Sequence, residues 1–498
     1  MSGILNFFII GGFVMNLTVI GLTKEVDSMS DKDLEEAKIF SGKNAGVCYM
    51  KDSYFDSDVS DDVKALKRFV RVSNTNHHSI ADHVKVEVLL EDISKMLAIV
   101  LNSLQDYATS EKSGRYTTMS GNSEEERQLY SKWGVLFRKR ILDLYPDLDD
   151  DILTQEMNKV GHSDVIITNG ELDSNSMNDV HKECLMNIKL NCSTLPSVKL
   201  AQENARYVLS VFTRSTTMGY SATIRQWNYI YDWCKKYTDR FHWVKSDGSL
   251  VLSYRGNETE VSYFELELYK DFVDLMEFIK SNLYIEELRD SKNRCFEFLT
   301  GLSGDANHPM TRYHVIEADV NMGRDESRVS EDDYLGITYS VSYPASFVHI
   351  AQAERHRTLK YFMQFNPNFS IPEFYIPECI RGTDLEKEWL SDLESVKELV
   401  PQATMVGIIE TGHISDFILK CEERLCGRAQ LEIMKQTKKT AERFIDEAKN
   451  GNPSNTFLAY VDRIQLKNSS IKTKCQMIGA CKESCRWFKE QDVFTRLI

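Results

Sequence analysis

The chain has 498 residues, of which 42% are hydrophobic and 27% charged, enough for two domains or one large enzyme with a well-buried core. Its formal net charge of −15 argues against nonspecific binding to nucleic acid polymers or acidic membranes. Any phosphate that the protein binds should therefore be bound by a local cluster of cationic side chains. Eleven cysteines without a secretory pattern predict reduced thiols in a cytoplasmic protein, and Cys475, Cys481 and Cys485 lack the spacing of a metal site.

The N-terminal run "MSGILNFFIIGGFVM" is too short to span a bilayer and lacks the positive start of a signal peptide. We interpret residues 1–15 as an extra leader, with Met15 opening the first strand, and we disfavour the alternative of a membrane anchor. Apolar residues at three- and four-residue steps predict helices over residues 84–108, 124–145 and 428–450. The stretches "LTVIGL" and "TYSVSY" predict strands, so we expect an α+β fold.

Two weak internal matches predict a duplication. "NHHSIADHV" and "NHPMTRYHV" share the spacing N-H-x-x-x-x-x-H-V, and "ARYVLS" (205–210) loosely matches "VKELVP" (396–401). The first match aligns Asn76, His77 and His83 with Asn307, His308 and His314. With a junction near residues 285–300, we expect one repeat over residues 16–288 and a second over residues 289–498.

Two polar stretches are candidates for ligand binding. "SEKSGRYTTM" places a carboxylate, a hydroxyl, a glycine and a guanidinium close together, which could grip a nucleotide or could be an ordinary polar turn. "AERHRTLKYF" concentrates two arginines and a histidine in an acidic chain, which could be a ligand site or a helix face paired with local carboxylates such as Glu354.

These stretches resemble two halves of the signature of the flavin-dependent thymidylate synthases, the ThyX family. The upstream family motif is similar to a segment with His77, Ser79, Asp82 and His83, and the tail of the signature is similar to "SEKSGRY". The head of the signature, Q-x-x-R-H-R, is found only in the second half, where Lys360, Met363 and Phe365 replace its tail. Two further family segments resemble "ENARYVLS" and "ERLCGRAQLEI", and Cys234 stands where the latter has its arginine.

The resemblance implies two tandem ThyX-like repeats, each a helical layer with an antiparallel sheet. It implies conversion of dUMP to dTMP with FAD as cofactor and with NADPH and methylenetetrahydrofolate as co-substrates. Family members are homotetramers whose sites combine several subunits, so we expect a homodimer of this fused chain. The segments 163–183 and 315–345 look like insertions, either solvated loops or a lid.

The resemblance also assigns residue roles. For the pyrimidine nucleotide it implies Glu111, Ser113, Gly114, Arg115, Arg206, Gln352, Arg355 and Arg424. For the flavin it implies Ser79, Asp82, Arg355, His356, Arg357 and His413. The residues expected closest to the chemistry are Ser113, Arg355 and Arg424. Two alternatives stay open: flavin-dependent modification of another pyrimidine nucleotide, such as hydroxymethylation, and a noncatalytic flavin- or nucleotide-binding protein.

Overall fold

The computed structural model describes most of the chain, and we call residues 29–289 the first half and residues 313–498 the second half. The described ranges are 29–47, 58–75, 77–103, 107–114, 117–163, 165–173, 178–243, 250–254, 257–289, 313–317, 337–364, 374–450, 455–466, 470–477 and 493–498. Several predictions fall outside these ranges: the leader, the strand "LTVIGL", Asn76, Arg115, Tyr116, Asn307, His308 and Phe365.

Helices and antiparallel sheets alternate along both halves, so the α+β prediction is confirmed. First-half helices are α1 (Asp31–Gly46), α2 (Asp62–Ser73), α3 (Lys95–Asn102), α4 (Glu124–Leu144), α5 (Asp150–Lys159), α6 (Asp179–Asn191), α7 (Pro196–Ala205), α8 (Ile224–Thr238) and α9 (Tyr263–Asn282). Second-half helices are α10 (Phe347–Ala353), α11 (Asp384–Ser395), α12 (Ile414–Arg424), α13 (Leu431–Asn450), α14 (Asn455–Ile464) and α15 (Lys474–Met477). In the described part of the chain, no helix has the length and apolar character needed to cross a bilayer.

The strands form a principal sheet in each half and two small sheets. They are β1 (Lys85–Ser94), β2 (Ala108–Glu111), β3 (Ile167–Thr168), β4 (Glu171–Leu172), β5 (Arg214–Thr223), β6 (Phe241–Trp243), β7 (Leu250–Tyr254), β8 (Asn257–Glu260), β9 (Tyr313–Glu317), β10 (Ile337–Ser346), β11 (Lys360–Gln364) and β12 (Met405–His413). The principal sheets have the orders β1-β5-β2 and β11-β12-β10-β9. Within the predicted insertion 163–183, β3 and β4 pair as a short hairpin.

The predicted helices over 124–145 and 428–450 are confirmed as α4 and α13, but the helix over 84–108 is wrong. Residues 85–94 form β1, because "KVEV" alternates charged and apolar side chains with the two-residue period of a strand. The helix begins only after Ser94, whose hydroxyl accepts the Leu97 N–H at 2.9 Å as an N-cap. The strand "TYSVSY" is confirmed within β10.

The two halves share a strand–helix order. In each, a long strand ends at a serine that caps a short helix, Ser94 before α3 and Ser346 before α10. In the first half β5 lies between β1 and β2, and in the second half β12 lies between β10 and β11. Ser94 pairs with Arg214 of β5, and Ser346 pairs with Met405 of β12. The helix after that third strand carries Cys234 in one half and Arg424 in the other, each ten residues after its first residue.

One of the two sequence matches has the same structure in both halves. Arg206–Val208 and Lys397–Leu399 are both 3-10 turns, and Ser210 pairs with Pro401 in an antiparallel bridge between the halves. The other match differs in structure, because His83 ends a 3-10 helix whereas His314 lies in strand β9.

The hydrophobic core crosses the boundary between the halves. One cluster contains Phe212 and Phe272 together with Tyr339, Phe417 and Phe444, all almost completely buried. In a second cluster, Trp133 and Trp389 meet edge to face with ring centroids 4.7 Å apart. Burial of aromatic rings from both halves therefore stabilises their contact, and the domain boundary at residue 288 stays a prediction.

Candidate functional site

The R-H-R segment lies at the end of α10, where the chain leaves the helix at Glu354 and turns into β11. The side chain of Arg355 is 42% exposed, and its Nη2 lies 3.4 Å from Oε2 of Glu111. This ion pair joins the two polar stretches that the sequence separates by 244 residues. Both half-signatures therefore meet within one chain, at the contact between the halves.

Glu111 is the buried anion of this cluster, with a side chain only 3% exposed. Its carboxylate contacts the Lys95 ammonium and accepts a hydrogen bond from Asn102 Nδ2 at 3.3 Å. Burial alone would raise the pKa of Glu111, but Lys95 and then Arg355 outweigh that effect and hold the pKa below its usual value. Glu111 is therefore ionised, and the adjacent Lys95 and Arg355 side chains neutralise its charge.

His356 is buried and does not act as a cation. Burial, followed by the nearby positive charges of Arg424 and Lys420, lowers its pKa to about 2. Its Nε2 accepts a hydrogen bond from Arg424 Nε at 2.8 Å, and Arg424 Nη2 donates to the Gln352 carbonyl at 3.3 Å. The imidazole thus helps to orient the half-buried guanidinium of Arg424.

Arg357 ties the R-H-R segment to the first half. It donates a hydrogen bond to the carbonyl of Tyr107, and its guanidinium lies 5.6 Å from the centroid of the Tyr107 ring. The Tyr107 hydroxyl in turn donates to the Glu354 carbonyl at 3.3 Å. These contacts fix the backbone on both sides of Arg355.

Glu354 does not pair with the neighbouring arginines. Its side chain is buried, and neither carboxyl oxygen accepts a hydrogen bond from the described residues. Burial raises the pKa of Glu354 well above its usual range, and the Glu111 carboxylate raises it further. The buried site therefore favours the uncharged form of Glu354, and R-H-R does not lie on a helix face paired with Glu354.

Glu354→Gln should stabilise the protein increasingly as the pH rises. A carboxyl with a raised folded-state pKa stabilises the fold below its unfolded pKa of 4.5, and that contribution is lost above it at about 1.4 kcal/mol per pH unit. Glutamine keeps the shape without titrating. We expect the difference in unfolding free energy between variant and wild type, measured by urea denaturation, to grow as the pH rises above the unfolded pKa. A constant difference would contradict an uncharged Glu354.

The first-half residues predicted for the nucleotide form a second part of the site. A Cβ on Gly114 would lie 3.5 Å from Cδ and Nη1 of Arg206, so the glycine backbone and this buried guanidinium are neighbours. The Ser113 carbonyl accepts the Thr117 N–H at 3.1 Å and so closes a turn beside Gly114. Arg206 and Gly114 could thus hold an anionic group, because both a guanidinium and a close backbone approach are present.

The remaining residues predicted for the flavin lie elsewhere. Ser79 and Asp82 are exposed, and Asp82 pairs with Arg225 at 2.7 Å and accepts from the Thr223 hydroxyl at 3.2 Å. His413 precedes α12, whereas Arg424 ends it, which separates them by about 16 Å along the helix. Within the described ranges, no hydrogen bond or ion pair joins Ser79, Asp82 or His413 to R-H-R.

Glu432, from the "RAQLEI" segment, links the helices that carry the site. It accepts the Ser346 N–H at 2.8 Å, the Ser346 hydroxyl at 2.6 Å and the Tyr207 hydroxyl at 2.7 Å. Ser346 caps the helix that leads to R-H-R, and Tyr207 follows Arg206. Gln430 also donates to the Tyr207 hydroxyl. This segment therefore connects the helix that leads to R-H-R with the turn that carries Arg206.

Sequence reasoning missed Lys95, Asn102 and Tyr107, and it treated Glu354 only as an ion-pair partner. Lys95 lies inside the helix predicted over residues 84–108, so it was not recognised as a first helical residue. The serine before it and the apolar run "MLAIVL" after it are a detectable signal of a helix start. Met363 is fully buried in the core, so it packs against other apolar side chains there.

The cluster is chemically suited to a ligand that carries phosphate. Arg355 pairs with Glu111, which Lys95 already neutralises, while Arg357 is anchored on Tyr107 and Arg424 donates to His356. The buried Gln352 Nε2 has no acceptor among the described residues and offers a further donor. Among those residues, no group of histidine, cysteine and acidic side chains could hold a metal ion. Guanidinium groups bind phosphate oxygens in pairs and stabilise negative charge on a pyrimidine ring.

A comparison with protein families matches part of the chain. Residues 35–234 match the family described as thymidylate synthase complementing protein. The matched segment contains Ser79, Asp82, Glu111, Gly114 and Arg206, whereas the R-H-R segment lies outside it. No curated protein matches the chain.

Proposed function

We propose that the chain is a flavin-dependent thymidylate synthase of the ThyX family, because residues 35–234 match the family described as thymidylate synthase complementing protein. It converts dUMP to dTMP with FAD as its cofactor and with methylenetetrahydrofolate and NADPH as co-substrates. The observation that carries this proposal is the Arg355–Glu111 ion pair, which unites a first-half and a second-half fragment of the family signature.

The nucleotide is held from both halves in this proposal. Arg206, Arg115 and the backbone at Ser113 and Gly114 bind from the first half, and Arg355 binds from the second. Arg424, oriented by the neutral His356, faces the pyrimidine together with Gln352. Reductive methylation places negative charge on the pyrimidine oxygens, which fixed guanidinium groups stabilise without reorganising.

The residues around R-H-R fit the flavin as a phosphate-bearing ligand, because Arg357 is exposed and anchored on Tyr107. Bound flavin would supply the hydride that reduces the transferred one-carbon unit. Arg355, His356 and Arg357 would hold it from the second half. Their contribution is binding and orientation, and no protein nucleophile is required.

We propose further that the chain is a fused duplication that acts as a homodimer. The shared strand order, the capping serines Ser94 and Ser346, and the Ser210–Pro401 bridge support the duplication. Ser79, Asp82 and His413 lie apart from R-H-R in one chain, so a second copy would have to bring them to a flavin. Each chain then supplies one complete nucleotide site, because only the second half carries R-H-R.

The absorption spectrum of the purified chain tests the flavin assignment. We expect the absorption bands of bound FAD, either directly after purification or after incubation with FAD and gel filtration. Expression in a thymidine auxotroph should restore growth without thymidine. Flavin binding without rescue would favour another pyrimidine modification or a noncatalytic protein, and a chain that never retains flavin would contradict the enzyme proposal.

A further inference from the structure

Three groups share the buried Glu111 carboxylate unequally. The Lys95 side chain is only 12% exposed, and its ammonium contacts Oε1 directly. Arg355 approaches Oε2 from the solvent side at 3.4 Å with a side chain 42% exposed, and Asn102 contributes one neutral hydrogen bond. A buried carboxylate needs a close cation, whereas a long, half-exposed ion pair contributes little to stability.

The Lys95–Glu111 pair occurs in the first half, and the corresponding positions of the second half carry neither a lysine nor a glutamate. Lys95 is the first residue of α3, and the first residue of α10 is Phe347. Glu111 is the fourth residue of β2, and the fourth residue of β11 is Met363. The lysine is thus present where the acid is present, and both are replaced by apolar residues in the half that supplies R-H-R.

We propose that Lys95 is a positioning residue that neutralises Glu111 and thereby leaves the Arg355 guanidinium available to the phosphate-bearing ligand. This inference rests on the proposed nucleotide site, and it assigns Lys95 an effect on ligand affinity without direct contact to the ligand. Without Lys95, Arg355 is the remaining cation of a buried carboxylate and has to stay with it.

Calorimetric titration with dUMP tests the proposal. We expect Lys95→Met to weaken dUMP binding by about tenfold or more, to raise KM with little change in kcat, and to change deoxyuridine binding by less than about twofold. Lys95→Arg should restore most of the affinity. The matched control is Lys112→Met, which removes the same charge from an exposed side chain next to Glu111 and should leave dUMP binding unchanged.

A double variant distinguishes an indirect role of Lys95, through Glu111, from direct contact of Lys95 with the ligand. In a Glu111→Gln background no carboxylate competes for Arg355, so adding Lys95→Met should cause no further loss of dUMP affinity. The double variant leaves no unpaired buried charge, so it should be more stable than Lys95→Met alone, which removes the close cation of the buried Glu111 carboxylate. An equal loss in both backgrounds would overturn the proposal, because Lys95 would then bind the ligand itself.

Unfolding measurements test, without any ligand, whether Lys95 is the main counterion of Glu111. Arg355→Ala should lower the melting temperature more in the Lys95→Met background than in wild type, because Arg355 would then be the main counterion of Glu111. An equal effect in both backgrounds would overturn the inference. If wild type binds no dUMP, the proposed function fails, and this unfolding comparison still tests Lys95.

Discussion

Arg355→Ala should lower kcat/KM for dUMP by about 100-fold or more, which corresponds to about 2.7 kcal/mol of lost transition-state stabilisation. The guanidinium is half exposed and held only by a 3.4 Å ion pair to Glu111 in the described part of the chain, so it can turn to a ligand. Alanine removes a charged donor that binds the nucleotide phosphate in this proposal. Steady-state dTMP formation at varied dUMP concentration measures the effect.

The control for this variant is Arg381→Ala, which removes an arginine of similar exposure that pairs with Glu378 three residues away. It should change kcat/KM by less than about twofold, as exposed pairs of this kind contribute little. Arg115→Ala, in the other half, should match the loss caused by Arg355→Ala. Full dUMP binding by the Arg115 variant would contradict a site assembled from complementary halves.

Glu432→Ala should lower the free energy of unfolding by about 3 kcal/mol or more, because it leaves three buried donors without their acceptor. Burial raises the pKa of Glu432, while its hydrogen bonds from Ser346, Tyr207 and Gln430 oppose that rise. Glu432→Gln, which keeps one acceptor oxygen, should cost less. Urea denaturation followed by circular dichroism measures all three proteins.

The matched control is Glu442→Ala on the same helix, whose carboxylate is 47% exposed and pairs with Lys438. It should change the unfolding free energy by less than about 0.5 kcal/mol. If Glu432→Ala were as mild as this control, Glu432 would not be the link between the R-H-R helix and Tyr207. A folded Glu432→Gln variant with weaker dUMP binding would support that link directly.

The sequence was sufficient for features that depend on local pattern. Apolar periodicity identified α4 and α13, the stretch "TYSVSY" identified β10, and the mixture of helix and strand patterns indicated the α+β class. It failed at residues 84–108 because Val86, Leu89, Leu90 and Ile93 of the strand also fall at three- and four-residue steps, which hides the change of period at Ser94.

The same limit applies to the site. Family motifs predicted Glu111, Arg355 and Arg424, but a charge partner such as Lys95 is recognised only when distant segments meet. Whether an acid such as Glu354 is charged depends on burial and on its neighbours, neither of which the linear sequence contains. Likewise, the neutral state of His356 follows from its burial beside Arg424.

The most direct test of the central proposal is dTMP formation by the purified full-length chain, measured by chromatography in the presence of FAD, NADPH, methylenetetrahydrofolate and dUMP. The proposal predicts dTMP only when all four are present, and a loss of about 100-fold or more in the Arg355→Ala variant. Retained flavin with no dTMP, or dTMP formed equally well by the Arg355 variant, would contradict a composite thymidylate synthase site built from both halves.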